Sequence, residues 1–291
     1  MASERYGIYP AVLDGVTLNN LDSCNVSADV QTLVRRAGGD VPTTASALIG
    51  ASNSVSLSSR DIHEILTNAG PTLSAGGLAV STSGVFQYRQ KGQTGSNHVT
   101  ITSLGGFLYV TDFGAEQGSA EGADINMVYR ALSVSGNAPL SINAAASITG
   151  TPAVNSSFKL GPVSVKGANI NVQGWRLRTG MTYIAKPHSG LIHADRGTID
   201  EEAYTIEIDT DDASLASTLS LGESSQITSG LTCYLRRIGV ADAVASHIKV
   251  TASSGTYVAE SLGGSGSGDA TIRITVTLND RPTVALSQLV T

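Results

Sequence analysis

The sequence predicts a mainly β protein made of two tandem modules of the β-sandwich or barrel-forming kind, each with one flanking helix. Three observations lead there. Valine, isoleucine, threonine and tyrosine recur in runs that alternate with period two, the pattern of a pleated surface with one face buried. Glycine is abundant, 32 of 291 residues, and punctuates those runs. One stretch of text also occurs twice: Gly77-Leu78, Phe86, Arg89, His98-Val99-Thr100-Ile101-Thr102 and Gly106, then Gly230-Leu231, Tyr234, Arg237, His247-Ile248-Lys249-Val250-Thr251 and Gly255. His98 and His247 are 247 − 98 = 149 residues apart, about half the chain.

In the first copy a short helix is expected over 27–37, with Val30, Leu33 and Val34 on one face. A strand follows at 54–57. A second helix begins at Ile62, capped by Ser59 or Asp61 and stopped by Gly70-Pro71, since a side-chain oxygen ahead of the first turn accepts from its free amides. Strands follow at 84–89, 98–102, 107–111 and 125–132, with Leu104-Gly105-Gly106 read as a hairpin turn. The second copy carries strands at 163–165, 170–178, 203–208, 231–236, 247–251, 256–259 and 271–278, with Ser253-Ser254-Gly255 as the matching turn. Its helix is expected from Leu215 to Leu219 behind the acidic start Asp209-Thr210-Asp211-Asp212. Further matches set Asn25-Val26-Ser27 against Asn171-Val172-Gln173 and Ile125 against Ile272.

The modules are placed at 1–150 and 151–291, divided in the Gly, Pro, Asn and Ser-rich stretch 144–157. The head (1–14) and the tail (after Thr277) are read as arms that dock on a neighbour. The run Gly263-Gly264-Ser265-Gly266-Ser267-Gly268 is read as a mobile hairpin tip.

Composition narrows the function. The net charge is −6, which argues against a basic nucleic-acid footprint. Only 14% of residues are charged, against roughly 25% in an average domain. Such a surface is less costly to bury in subunit contacts, because fewer ions are desolvated. Cys24 and Cys233 fall at unmatched points and read as buried thiols. Met1-Ala2-Ser3-Glu4-Arg5 lacks the start of a secretory signal, and no apolar run approaches the ~18 residues of a membrane helix, so folding in a cytoplasm without a membrane is expected.

The sequence offers little reactive chemistry. His188, His193 and Asp195 lie close in sequence but read as a polar loop. Glu201, Glu202, Asp209, Asp211 and Asp212 form an acidic cluster better explained by a surface strand and a helix start than by paired-carboxylate hydrolysis. There is no nucleophile elbow and no phosphate-binding glycine loop. No cofactor, no metal and no catalytic residue are expected. The candidates are structural or assembly residues: His98 and His247 as matched ring nitrogens bonded across a module, Trp175 in a core or interface, the pairs Arg35, Arg36 and Arg236, Arg237 facing carboxylates of a neighbour, and Gly263, Gly264, Gly266 and Gly268 in the tip.

This order of strands, helix and paired strands around 86–111, repeated around 231–259, resembles the tail tube proteins of long-tailed bacteriophages. The resemblance covers most of the chain in order and composition, without a short signature motif. It implies a β-sandwich with a helix on its side, a long loop or hairpin reaching the next ring, and six-fold rings whose inner barrel lines a DNA channel. Members usually hold one such domain. A chain with two departs from that pattern and implies three subunits per pseudo-six-fold ring. It further implies a homo-oligomer in the virion tail, assembled in the host cytoplasm, contacting other tail proteins, with genomic DNA sliding through an acidic or hydroxyl-lined lumen without specific binding. The head arm and the 263–268 tip are the expected ring-to-ring contacts. A capsid, decoration or appendage subunit is one alternative, and a carbohydrate-binding β protein using Trp175 is another.

Overall fold

A computed structural model describes residues 5–291 except 36–37, 39–44, 69–78, 94, 153–155, 166, 213–223, 228–229 and 264–270. The first half runs β1 (Tyr6–Leu13), β2 (Val16–Leu18), β3 (Leu21–Arg35), β4 (Ala45–Ser59), α1 (Ile62–Asn68), β5 (Ala79–Gln90), β6 (Ser96–Glu116), β7 (Asp124–Ala131) and β8 (Ser141–Ser147). The second runs β9 (Phe158–Val165), β10 (Ala168–Ile170), β11 (Val172–Arg178), β12 (Thr182–Lys186), β13 (Arg196–Glu201), β14 (Thr205–Thr210), β15 (Ser224–Ile227), β16 (Leu231–Arg237), β17 (His247–Ala252), β18 (Gly255–Gly263), β19 (Thr271–Leu278) and β20 (Thr283–Gln288). The fold is mainly β, and every ladder between these strands is antiparallel.

The same ladders recur in the two halves. In the first, β2, β1, β5, the start of β6, and β8 lie side by side. In the second, β10, β9, β16, β17 and β20 do the same. The order β3, β4, β7, end of β6 is matched by β11, β14, β19, β18. The irregularities match too. One extra residue bulges β3 at Asp22 and β11 at Gln173, and another bulges β6 at Thr111 and β18 at Glu260. Asp14-Gly15 turns β1 into β2 with both residues at positive φ (49° and 81°), and Gly167 holds φ 81° between β9 and β10.

Alternation explains the core. Along β7 the burial alternates strictly, with Ile125, Met127 and Tyr129 inside, and along β19 Ile272, Ile274 and Val276 take the same side. These side chains, with Val55 and Leu57 of β4 and Ile206 and Ile208 of β14, pack on Phe86, Leu231, Leu235 and Val250 of the facing strands in one continuous core. Helix α1 covers one end through Ile62, Ile65 and Leu66, and the Ile65 amide donates to the Asp61 carbonyl (3.1 Å), which begins the helix. The Ser59 hydroxyl accepts from the Asp61 amide (3.0 Å), and Thr210 accepts likewise from Asp212 (3.1 Å).

Several sequence expectations are corrected. Residues 27–35 are strand, because they ladder along β4 residue by residue and Val30, Leu33 and Val34 gain no apolar neighbour face. Neither Leu104-Gly105-Gly106 nor Ser253-Ser254-Gly255 is a hairpin turn. β6 passes unbroken from one sheet layer into the other, and β17 and β18 do not pair, so both sites are sandwich corners. Gly106 is required there, since an added Cβ would sit 2.3 Å from the Tyr129 ring. The described parts of head and tail are strands of the sheets rather than arms: Tyr6–Leu13 ladders with β5 and Thr283–Gln288 with β17, and residues 1–4 lie outside the described residues. The register aligns Leu21, not Val26, with Val172, and Gln87, not Phe86, with Tyr234. The helix expected at 215–219 lies outside the described residues.

Candidate assembly interface

The two halves meet strand to strand. The end of β6 takes β11 as its neighbour, Asp112 opposite Arg178, Phe113 opposite Leu177, Gly114 opposite Arg176 and Glu116 opposite Gly174. A single 13-stranded sheet therefore crosses from the first half into the second. Beneath it, Trp175 is 2% exposed, meets Phe113 edge-on at 6.0 Å and donates its indole N–H to the Tyr234 carbonyl (3.1 Å). Gly114 permits the close approach: a Cβ there would lie 2.1 Å from the Trp175 carbonyl oxygen.

The other face of this junction is charged. The Arg176 guanidinium bridges Asp112 and Asp124, the latter at 2.7 Å, and Asn126 donates to both carboxylates (2.9 and 3.2 Å). Partial burial opposes the Arg176 charge, but the hydrogen bonds and charges of Asp124 and Asp112 outweigh it and hold its pKa above the ordinary arginine value. Arg178 pairs with Glu207 (2.6 Å) and Arg273 with Asp209 (2.9 Å) further along the same face. A hairpin of the second half, β12–β13, reaches back over the first. Tyr183 stacks on Phe107 and Tyr109 (5.1 and 6.3 Å between centroids), the Ala51 amide donates to the Ile192 carbonyl (3.0 Å), and the Ser133 amide to the Ala194 carbonyl (2.8 Å).

Both ends of the long sheet lack a neighbour among the described residues. Among the described residues β3 pairs only with β4, so no strand lies along its outer edge. β18 is covered by β15 as far as Val258, and no described residue pairs with the same edge at Ser261, Leu262 and Gly263. Exposed apolar side chains mark both places: Val30 (52%), Val34 (53%) and Ile49 (51%) on the β3–β4 hairpin, and Leu262 (57%) on β18.

The residues singled out in the sequence divide. His98 and His247 are buried, and each ring Nδ1 accepts from a backbone amide at the end of the preceding strand, Gln90 (3.2 Å) and Arg237 (3.0 Å) respectively. His247 Nε2 also bonds the Ala241 carbonyl (3.1 Å). Trp175 lies inside the junction, and its burial removes it as a platform for a sugar ring. Arg236 pairs with Asp242 of its own chain (2.8 Å). Arg237 is exposed beside α1, in a cleft lined also by Glu64 and Asn68. Arg35 is exposed at the end of β3, and Gly263 ends β18. Arg36, Gly264, Gly266 and Gly268 lie outside the described residues.

Sequence reasoning missed Asp112, Phe113, Gly114, Asp124 and Arg176, which build the junction. A signal existed for one of them. The spacing that matches His98 to His247 and Gly106 to Gly255 also matches Gly114 to Gly263, further along the same strand. Carboxylates of the polar clusters have partners within the chain. The half-buried Asp195 carboxyl is held below its ordinary range by a hydrogen bond from His188 (2.8 Å). Glu202 is taken by Tyr204 and Arg281, and Asp211 by Gln173. Among the described residues no three His, Cys, Asp or Glu side chains converge as a metal site, and no helix is long and apolar enough to cross a membrane. No protein-family model matches this chain, and no curated protein matches it.

Proposed function

We propose that this chain is a non-enzymatic structural subunit of a bacteriophage tail tube, built from a duplicated β-sandwich module, with three chains forming a pseudo-six-fold ring that stacks into a tube. One observation carries the reading: the sheet of the first half continues into the second through β6 and β11, while the corresponding edges at its two ends have no partner strand among the described residues. An open edge strand invites another chain, and closing a sheet on itself removes all edges. Two modules per chain reduce the number of chains a six-module ring needs.

The polar face of the long sheet is the surface we assign to the channel. Ser54, Ser56, Ser58 and Asn126 point outward from its first half. Arg176, Arg178 and Arg273 in its second half are each held by a carboxylate. Neutralised arginines offer little attraction to a phosphate backbone, which suits passage of DNA without retention. The β3–β4 hairpin, with its exposed valines and isoleucine, replaces the head arm as the segment we assign to contacts beyond the ring.

Negative-stain electron microscopy with native mass measurement tests this reading. Rings or tubes built from units of three 29.8 kDa chains are expected. A protein that remains monomeric at all concentrations, or that builds closed shells, contradicts it.

A further inference from the structure

The covered edge of the first half and the uncovered edge of the second are the same edge by register. Glycine and bulge fix the correspondence: Gly106 opposite Ala131 and the bulge at Thr111 match Gly255 opposite Leu278 and the bulge at Glu260. Asp112, Phe113 and Gly114 therefore correspond to Ser261, Leu262 and Gly263. On the other side the bulges at Asp22 and Gln173 align Asn25, Val26 and Ser27 with Arg176, Leu177 and Arg178.

The environments of corresponding residues differ in one consistent way. Phe113 is fully buried, and Leu262 is 57% exposed. A Cβ on Gly114 would strike the Trp175 backbone at 2.1 Å, whereas a Cβ on Gly263 would meet nothing within 4 Å among the described residues. Among the described residues Gly263 has no close neighbour where its counterpart needs glycine to admit a strand, and Leu262 is exposed where its counterpart is covered by one.

We infer that the edge of β18 at Ser261–Gly263 is completed by β3 of a second copy of this chain, antiparallel, with Ser27 opposite Ser261, Val26 opposite Leu262 and Asn25 opposite Gly263. This inference rests on the assembly reading above and adds the register of its copy-to-copy contact. The hydrogen-bonding phase follows from the junction within the chain. There the Thr179 amide donates to the Thr111 carbonyl (2.9 Å) and the Gln117 amide to the Gln173 carbonyl (2.6 Å). Alternation along an antiparallel ladder then makes Leu177 and Phe113 a hydrogen-bonded pair, and Arg178 and Asp112 a non-hydrogen-bonded one. Val26 and Leu262 inherit the first role, Ser27 and Ser261 the second. The contact is head-to-tail: each copy offers β18 at one end and β3 at the other, the kind of contact that closes into a ring. Its central positions are neutral. Arg176, Asp112 and Asp124 are replaced by Asn25, Ser261 and Thr271, so the copy-to-copy contact holds no ion pair at the place where the junction within the chain holds two.

Disulfide trapping tests the register. Ser27→Cys with Ser261→Cys, in a Cys24→Ser background, places two thiols at a non-hydrogen-bonded pair, where Cα atoms approach about 4.5 Å and a disulfide fits. The remaining thiol, Cys233, is fully buried, and burial pushes it up out of the reactive range. Oxidation is expected to give covalent dimers and closed oligomers that vanish on reduction, with none from either single variant. The shifted pair Ser23→Cys with Ser261→Cys is expected to give none. Gly263→Val supplies an independent arm: the monomer is expected to fold as wild type but to fail to assemble. Rings or tubes that form without Ser27–Ser261 cross-linking, or that form normally from Gly263→Val, overturn the register and leave the assembly reading standing. A wild-type protein that never assembles overturns both.

Discussion

The junction at Gly114 and the free edge at Gly263 have the same backbone plan and opposite surroundings. At the first, Phe113 is buried under Trp175 and Arg176 is locked between two aspartates. At the second, Leu262 meets solvent and the matching positions are serine, threonine and asparagine. The same strand geometry thus serves in one place as interior and in the other as surface. The residues differ as those roles require, with a large aromatic and ion pairs where the contact lies within the chain and small neutral groups where the proposed contact would form between separately folded chains. Desolvating charges at a contact made after folding costs more than desolvating hydroxyls and amides.

Substitutions at corresponding positions can break this contrast. The largest expected effect is Trp175→Ala, which opens a cavity under the junction and costs about 3–5 kcal/mol. Cys24→Ala at the corresponding place on β3 removes little more than a methyl-sized volume and costs about 1 kcal/mol. Chemical denaturation measures both, and equal losses would erase the asymmetry. Gly114→Val drives a side chain into the Trp175 backbone and is expected to cost about 3 kcal/mol, while Gly263→Val shifts monomer stability by less than about 0.5 kcal/mol. Arg176→Ala strands Asp112 and Asp124, each partly buried, and is expected to cost about 1–3 kcal/mol. Asn25→Ala, its counterpart, is expected to be nearly neutral in the same titration.

A smaller effect concerns pH. Burial pushes the Tyr129 phenol up to about 12 from an ordinary value of 10, and its hydroxyl donates to the Thr82 carbonyl (3.1 Å). The folded state then keeps a proton that the unfolded state releases. This contribution is fully present below pH 10 and is lost as pH rises through about 12. Tyr129→Phe is expected to flatten the alkaline fall in thermal stability between those values, and an unchanged profile would contradict the assignment. At the corresponding position the second half has Val276, which carries no ionisable group.

The β class and much of the recurring order were legible in the sequence because both depend on alternation and on words such as His98-Val99-Thr100-Ile101-Thr102 that keep their spacing. The strand 271–278 was read to the residue, since Ile272, Ile274 and Val276 alternate cleanly with polar neighbours. What misled was local. Val30, Leu33 and Val34 mimic a helical face, yet a long exposed hairpin with no core beneath it has no reason to alternate. Gly-rich corners read as hairpin turns because glycine marks both. The shared histidines were legible as structural, and their ring nitrogens do cap matching strand ends. The junction was not, because it is built by pairing residues 112–116 with 174–178, and no local pattern announces which edges of two sandwiches will meet.

A density map of the assembled protein at side-chain resolution would show how neighbouring copies join. One sheet running unbroken around the ring is expected, with Val26 of one copy opposite Leu262 of the next just as Leu177 lies opposite Phe113 within each chain. A ring in which the outer edge of β3 stays open to solvent, or pairs in any other register, would contradict it.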